Sequence, residues 1–541
     1  MVSDSYLWWR HGVFYQIYPR SFMDSNGDGV GDLQGIIDRL DYLVELGVDA
    51  IWISPIFASP MADFGYDVSD YKGIHPMFGD MATFDRLLSE AHRRGLRIVL
   101  DYVPNHSSAE HPWFIESRSS RDNPKREWYI WKDGKSDGGP PNNWESIFGG
   151  QAWEWDATTR QYYLHLFLPE QPDLNWRNPQ VVQAMHEVLR FWLDKGVDGF
   201  RMDAVMLCMK HPDFPDNPPV QDQSAWKRIG LTLEPVYTVN RPEIHPMLRA
   251  FRQLLDQYDG DRVMIGETWL FELDELVEYY GGELDEFHIP FNFLGTVQPW
   301  ESGALQAAIS AYYNALPTGA APNFVFGNHD VHRMATRFGA EHHRSAGMLL
   351  LTLKGTPTLY YADELGMQDV DIPPARCVDP WGLNAPDLNI GRDPQRTPMQ
   401  WDRSPNAGFS PAGIDTWLPV AADYGKVNVA VQRNDPESTL QFYKALLKLR
   451  RELPALHRGS FAFVDQTTPG VMAYLREADG RRLLIIINFE SKEQQVDYSL
   501  LGKTGKLLLS TRFVSPTEVS MSALTLRPCE SLLIQLMAHV K

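Results

Sequence analysis

GVDGFRMDAV (196–205) runs from a glycine through a short apolar stretch to an acid, Asp203, placed where a strand would end. Two further runs close in the same way: RVMIGETW (262–269) delivers Glu267 and NFVFGNHD (323–330) delivers Asp330. Acids carried on strand tips between helical segments are what a (β/α)8 TIM barrel uses, because its active site is assembled on the C-terminal rim of the strands.

Working outward, five more runs rich in branched or aromatic residues complete a set of eight: VFYQIYP (13–19), AIWISPI (50–56), RIVLDYV (97–103), EFHIPFN (286–292) and PTLYYADE (357–364). Between them lie amphipathic patterns with apolar residues every three or four positions: DLQGIIDRLDYLVELG (32–47), TFDRLLSEAHRRG (83–95) and NPQVVQAMHEVLRFWLDKG (178–196), each stopping at a glycine. Buried strands alternating with such helices predict a parallel sheet, and eight units close a barrel.

Two stretches interrupt the rhythm. Residues 104–175, after the third strand, are rich in Trp, Gly, Pro and Asn and too long for an ordinary loop, so they read as an inserted small domain. Residues 366–420, after the eighth strand, form a polar loop insertion containing GRDPQRTPMQW, expected to wall the pocket. The barrel then comprises 1–103 and 176–457, ending in the helix 438–453. Short alternating strands such as VMAYLREADG and RRLLIIINFE predict an all-β sandwich domain over 458–541.

A chain of 541 residues with 43% hydrophobic and 22% charged residues has room for two or three domains. Its net charge of -20 disfavours nucleic acid and anionic membranes while leaving a neutral sugar unaffected. The start MVSDSYLWWRHGVF does not read as a secretion signal, and no run reaches transmembrane length. Cys208, Cys377 and Cys529 are scattered without a CxxC pair, which predicts reduced thiols and a cytoplasmic protein.

Alternate residues of a strand share a face, so Arg201 should sit beside Asp203 and favour its ionised form, as a nucleophile requires; a buried structural pair would have the same spelling. Glu267 beside Trp269 reads as a desolvated carboxyl suited to a general acid. One ionised and one protonated carboxyl, about 5 Å apart, is the requirement of a retaining glycosidase. His106 in DYVPNH and His329 in GNHD add imidazoles able to donate to sugar hydroxyls. DSNGDGVGD (24–32) spaces Asp24, Asn26, Asp28 and Asp32 around glycines, an oxygen-rich arrangement for a hard divalent cation, though Gly35 stands where an EF-hand would need its Glu.

Together DYVPNH (101–106), QPDLNW (171–176), GFRMDAV (199–205), GETW (266–269) and FGNHD (326–330) resemble the α-amylase family of retaining glycoside hydrolases, in its bacterial α-glucosidase and oligo-1,6-glucosidase branch, over nearly the whole chain. The resemblance implies Asp203 as nucleophile, Glu267 as acid/base and Asp330 as a third acid gripping ring hydroxyls. It further implies that Arg201 holds the nucleophile and that Asp63, Tyr66, His106, Phe167, His329 and Arg392 bind a nonreducing glucose. Asp24, Asn26, Asp28, Asp32 and the carbonyl of Val30 would bind a structural Ca2+.

Family members favouring α-1,6 bonds often carry Val after the nucleophile, and Ala204 stands there, so the expectation is an exo-acting α-glucosidase on short oligosaccharides that prefers α-1,4 bonds. The alternatives are transfer of the same glucosyl group by a transglucosidase, sucrose isomerase or trehalose-forming mutase, and a non-catalytic transporter-associated homologue, which would need an anchor and could lose the acids kept here.

Overall fold

A computed structural model of the chain describes residues 6–465, 468–513 and 517–537. The eight runs form one parallel sheet: β1 (Phe14–Ile17), β2 (Ala50–Ile53), β3 (Arg97–Tyr102), β4 (Gly199–Met202), β5 (Val263–Gly266), β6 (Ile289–Pro290), β7 (Asn323–Val325) and β8 (Thr356–Tyr360). Their order is β6-β5-β4-β3-β2-β1-β8-β7, every neighbour parallel, as a closed barrel demands. Between β6 and β7 the Asn323 side chain closes the ring. Its amide donates to Pro290 O at 2.6 Å and its Oδ1 accepts from Asn292 N at 2.8 Å.

Strand periodicity builds the site. Phe14, Trp52, Val99, Val263, Ile265, Ile289 and Val325 pack into one apolar cluster inside the barrel. Continuing in steps of two, Val99 leads to Asp101, and Val263 and Ile265 lead to Glu267. The carboxyl groups therefore stand on a dry floor. The alternate residues, among them Ile98, Leu100, Phe200, Met202 and Met264, join the larger core with the helices.

The helices follow their caps. Met81–Arg93 starts at Asp80, whose side chain accepts from Thr83 N, and buries Phe84, Leu87, Leu88 and Ala91; Pro179–Asp194 starts at Asn178 and buries Met185, Leu189 and Trp192. The continuous pattern of 32–47 is two helices, Leu33–Asp38 and Leu40–Leu46. They break at Arg39, whose guanidinium turns over the Trp401 ring at 4.3 Å. Gly47, at φ 99°, supplies the left-handed cap.

Residues 104–175 include a helix, Pro112–Ser119, and a three-stranded antiparallel sheet of Trp131–Lys132, Gln161–Leu164 and Trp153–Asp156. The C-terminal region is a six-stranded antiparallel sheet, from Ser460–Phe463 to Ser531–Leu536, with a two-stranded layer of Gln494–Val496 and Leu524–Leu526. In its strand Arg481–Asn488, Leu483, Ile485 and Ile487 join the core shared with the barrel, while Leu484 and Ile486 pack with Val496 and Leu526. Among the described residues no helix is long and apolar enough to cross a membrane.

Candidate active site

The ladder extends past the strand ends and sets the key acids in place. Asp203 N donates to Tyr102 O at 2.8 Å, and Glu267 N donates to Met202 O at 2.9 Å. Asp101 is the register partner of Arg201 across β3 and β4, and Ile265 is its partner across β5. Arg201, fully buried, thus stands among three carboxyl groups: Nη1 lies 2.7 Å from both Asp101 Oδ1 and Asp203 Oδ1, and Nη2 lies 2.6 Å from Glu267 Oε1. The Glu267 contact lies off the N–H direction. Its directed partners are Ala204 N on Oε2 (2.8 Å) and the Trp269 indole N–H on Oε1 (2.9 Å). Trp269 therefore meets Glu267 with its polar edge, where the sequence suggested apolar shielding, and its ring stacks on Phe293 at 4.1 Å.

Burial pushes the Asp203 carboxyl upward, the negative charge of Glu267 adds to the rise, and the positive charge of Arg201, shared among three acids, opposes both. Burial likewise lifts Asp101 to about 6 against the pull of Arg201.

The opposite wall is a second charge cluster. Asp330 Oδ1 lies 3.0 Å from Arg396 Nη2 and 3.3 Å from Arg392 Nη1, and Oδ2 lies 3.3 Å from His329 Nε2. Burial alone would raise Asp330, but His329 and the two guanidinium groups hold it well below the carboxylate range. Arg392 also bonds Asp63 at 2.8 Å and is fixed by Asp379, whose Oδ1 takes Nη2 at 2.7 Å and Nε at 2.9 Å. Asp63 is pushed up to about 6, burial outweighing Arg392.

Both imidazoles are buried. Burial carries His106 down to about 3, helped by Lys210, and takes His329 well below its usual range. His106 Nε2 is 3.0 Å from the Gln171 amide, and its ring lies 5.0 Å from Phe167. His329 is held by Gln16 at Nδ1 (2.8 Å) and by the Tyr66 hydroxyl at Nε2 (2.6 Å), its ring parallel to that of Tyr66. Asp63, Tyr66, His106, Phe167, Arg201, Asp203, Glu267, His329, Asp330 and Arg392 thus belong to one contact network around the barrel mouth.

Sequence reasoning passed over Asp379, Arg396, Gln171 and the pair Phe148 and Trp381. Phe148, from the inserted region, stacks on Trp381, from the loop after β8, at 5.4 Å and 21°, and the Arg392 guanidinium lies 4.9 Å from the Phe148 ring. These aromatics come from segments far apart in the chain. Only Arg396 and Gln171 lay inside stretches already marked, GRDPQRTPMQW and QPDLNW.

The 24–32 loop folds its side chains onto its own amides. Asp24 accepts from the N–H groups of Asn26, Gly27 and Gly29, Asn26 Oδ1 accepts from Asp28 N, and Asp28 accepts from Val30 N. Asp32 caps the helix Leu33–Asp38 through Gly35 N and also takes Ser25 N. Among the described residues no group of three or more His, Cys, Asp or Glu side chains is placed to hold a metal ion. A cation here would therefore rely on Asp24, Asn26, Asp28, the Val30 carbonyl and whatever capacity Asp32 keeps beyond its cap.

A (β/α)8 barrel bearing adjacent carboxyl groups on a shared guanidinium at its C-terminal rim defines a protein built for carboxylate-pair chemistry on a neutral substrate. The chain belongs to the alpha-amylase family of glycoside hydrolases: the family described as "Alpha amylase, catalytic domain" matches residues 16–459, and "Maltogenic Amylase, C-terminal domain" matches residues 461–532. It is 40% identical to the oligo-1,6-glucosidase of Parageobacillus thermoglucosidasius, covering 97% of this chain and 98% of that protein. It is 42% identical to maltase 1 of Drosophila virilis, covering 99% and 88%. Among solved structures it resembles the alpha-glucosyl transfer enzyme XgtA, with a TM-score of 0.91 and 40% identity over 98% of this chain and 100% of that one. The trehalulose synthase MutB of Pseudomonas mesoacidophila MX-45 matches with a TM-score of 0.89 and 35% identity over 98% and 100%.

Proposed function

We propose that this chain is a retaining, exo-acting α-glucosidase that removes terminal nonreducing glucose from short α-glucosides. The observation that carries the reading is the contact of Asp203 and Glu267 with one buried guanidinium. Sharing Arg201 sets the two carboxyl groups close together, which supports the short spacing of a retaining pair, about 5–5.5 Å.

In the first step an Asp203 oxygen bonds the anomeric carbon while the bond to the leaving oxygen breaks and Glu267 gives that oxygen its proton. In the second, Glu267 takes a proton from water, whose oxygen displaces Asp203 and releases glucose. Six carboxyl groups (Asp63, Asp101, Asp203, Glu267, Asp330, Asp379) surround three guanidinium groups (Arg201, Arg392, Arg396), a surplus of negative charge that favours the oxocarbenium-like transition state. Asp330 and Arg392 hold ring hydroxyls, joined by the imidazoles of His106 and His329.

The stacked pair Phe148 and Trp381 supports the exo reading, because it joins two walls of the mouth. The α-1,4 preference rests on Ala204, which has φ 43° and ψ 31°, a left-handed conformation in which a β-branched residue is more strained than Ala. Glucosyl transfer is the second reading, favoured by the resemblance to XgtA and MutB. A cytoplasmic location is supported by three unpaired cysteines, and a structural Ca2+ by the spacing of oxygen ligands in the 24–32 loop.

The test is a product profile from maltose, isomaltose, sucrose and trehalose, with Asp203→Asn as the inactive control. Free glucose from maltose ahead of isomaltose supports the proposal. Transfer products dominating at high donor concentration support the second reading, and full turnover by Asp203→Asn removes the nucleophile from both.

A further inference from the structure

The end of the barrel away from the carboxyl groups has a cleft of about 480 Å3, where the N-terminal ends of β1, β7 and β8 meet the first strand of the C-terminal sheet. Arg10, Tyr313, Asn314, Lys354, Phe461 and Phe463 supply its chemistry. Among the described residues no carboxylate lines it. Among the described residues, too, the Lys354 ammonium makes no hydrogen bond or ion pair, and Arg10 places only Nη2 on protein, against Gly319 O (3.0 Å) and Ala320 O (3.4 Å).

Behind the cleft stands a further cation with no acid acting on it among the described residues, Arg476. Buried Arg476 donates to the carbonyls of Ser460, Gly459 and Thr352. Burial lowers Lys354, and the charges of Arg476 and Arg10 lower it further, with no carboxylate among the causes. In a chain of net charge -20, three such cations, Arg10, Lys354 and Arg476, concentrate positive potential at one concave, partly apolar place. Lys354 is exposed and Arg10 half-buried; like charges held near one another without a counter-ion disfavour the charged state, and an anion between them relieves that.

We propose that this cleft binds a sugar-sized phosphate monoester, its phosphate between Arg10 and Lys354 and its body against Phe461 and Phe463. Asn314 and Thr318 line the cleft within reach of ring hydroxyls, and the volume is that of a small-ligand pocket. The ligand would join barrel to C-terminal sheet, so its occupancy raises the stability of the full chain by mass action.

The experiment is titration calorimetry of the full-length protein with glucose 6-phosphate, inorganic phosphate and glucose, repeated on Lys354→Glu and Arg10→Met. Lys354 touches nothing through its ammonium, so Lys354→Glu should fold and keep maltose turnover. Glucose 6-phosphate is expected to bind with a Kd below about 1 mM, weakened at least about tenfold by Lys354→Glu, with glucose giving no Lys354-dependent heat. Equal affinity for inorganic phosphate would overturn the sugar-sized part of the proposal. Binding that is absent, or unchanged by Lys354→Glu in a protein that still turns over maltose, would overturn all of it.

Discussion

Trp269 donates its indole N–H to Glu267 Oε1 at 2.9 Å, with its ring pinned flat against Phe293. Glu267 must present one oxygen to a leaving group and then to water, so a side chain that fixes its rotamer acts on the chemical step more than on binding. Trp269→Phe keeps the stacking and removes the N–H. A hydrogen bond to a charged group is worth about 1.5–3 kcal/mol, so kcat on maltose is expected to fall roughly 10- to 100-fold while KM changes by less than about threefold. Steady-state kinetics check this; a loss confined to KM would place Trp269 in substrate binding instead.

The Phe148 and Trp381 pair gives a second expectation. The two rings join the inserted region to the loop after β8, above Arg392. Trp381→Ala should open the mouth, so that activity on maltotetraose relative to maltose rises by about threefold or more while the absolute rate on maltose falls, since an aromatic contact worth about 0.5–1.5 kcal/mol is lost. Initial rates on a maltooligosaccharide series measure it, and an unchanged ratio would mean that another element limits chain length.

The barrel was legible because its signal is local and repeated. Val263, Ile265 and Glu267 lie on one face by strand periodicity, and a glycine stop follows each helical pattern. Arg201 beside Asp203 could be read in the same way. What could not be read is what tertiary structure brings from a distance. Asp379 reaches Arg392, and Phe148 reaches Trp381, through loops without periodicity. The sharing of Arg201 is a related case: two residues from Asp203 it reads as a private partner, but Asp101 and Glu267, contributed by other strands, share it. The break at Arg39 depends on Trp401, hundreds of positions away.

Calcium offers a third test. If the 24–32 loop binds Ca2+ through Asp24, Asn26, Asp28 and the Val30 carbonyl, removing it with EGTA lowers the unfolding midpoint, because a ligand at 100 times its Kd contributes about 2.7 kcal/mol. Adding calcium back should restore the midpoint in the wild type but not in Asp24→Ala. A midpoint indifferent to chelator and calcium alike would identify the loop as a turn held by its own amides.

The last prediction concerns pH. Glu364, directly after β8, is fully buried; its Oε1 accepts from the hydroxyls of Tyr15 (2.8 Å) and Tyr42 (2.5 Å), and its Oε2 has no partner. Burial lifts its carboxyl from 4.5 to about 7, the two hydroxyls opposing the rise. The folded state therefore holds the proton more tightly than the unfolded chain does. Its contribution to stability is fully present below pH 4.5 and declines as pH rises toward 7, because over that window the unfolded chain has released the proton and the folded one has not. At about 1.36 kcal/mol per unit the loss amounts to roughly 3 kcal/mol. Glu364→Gln keeps the shape and an oxygen for the tyrosines but cannot ionise. The variant should lose less stability than the wild type between pH 4.5 and 7 and be the more stable of the two at pH 8. Urea unfolding across that range measures the difference, and parallel curves for the two proteins would show that Glu364 stays ionised in its buried site.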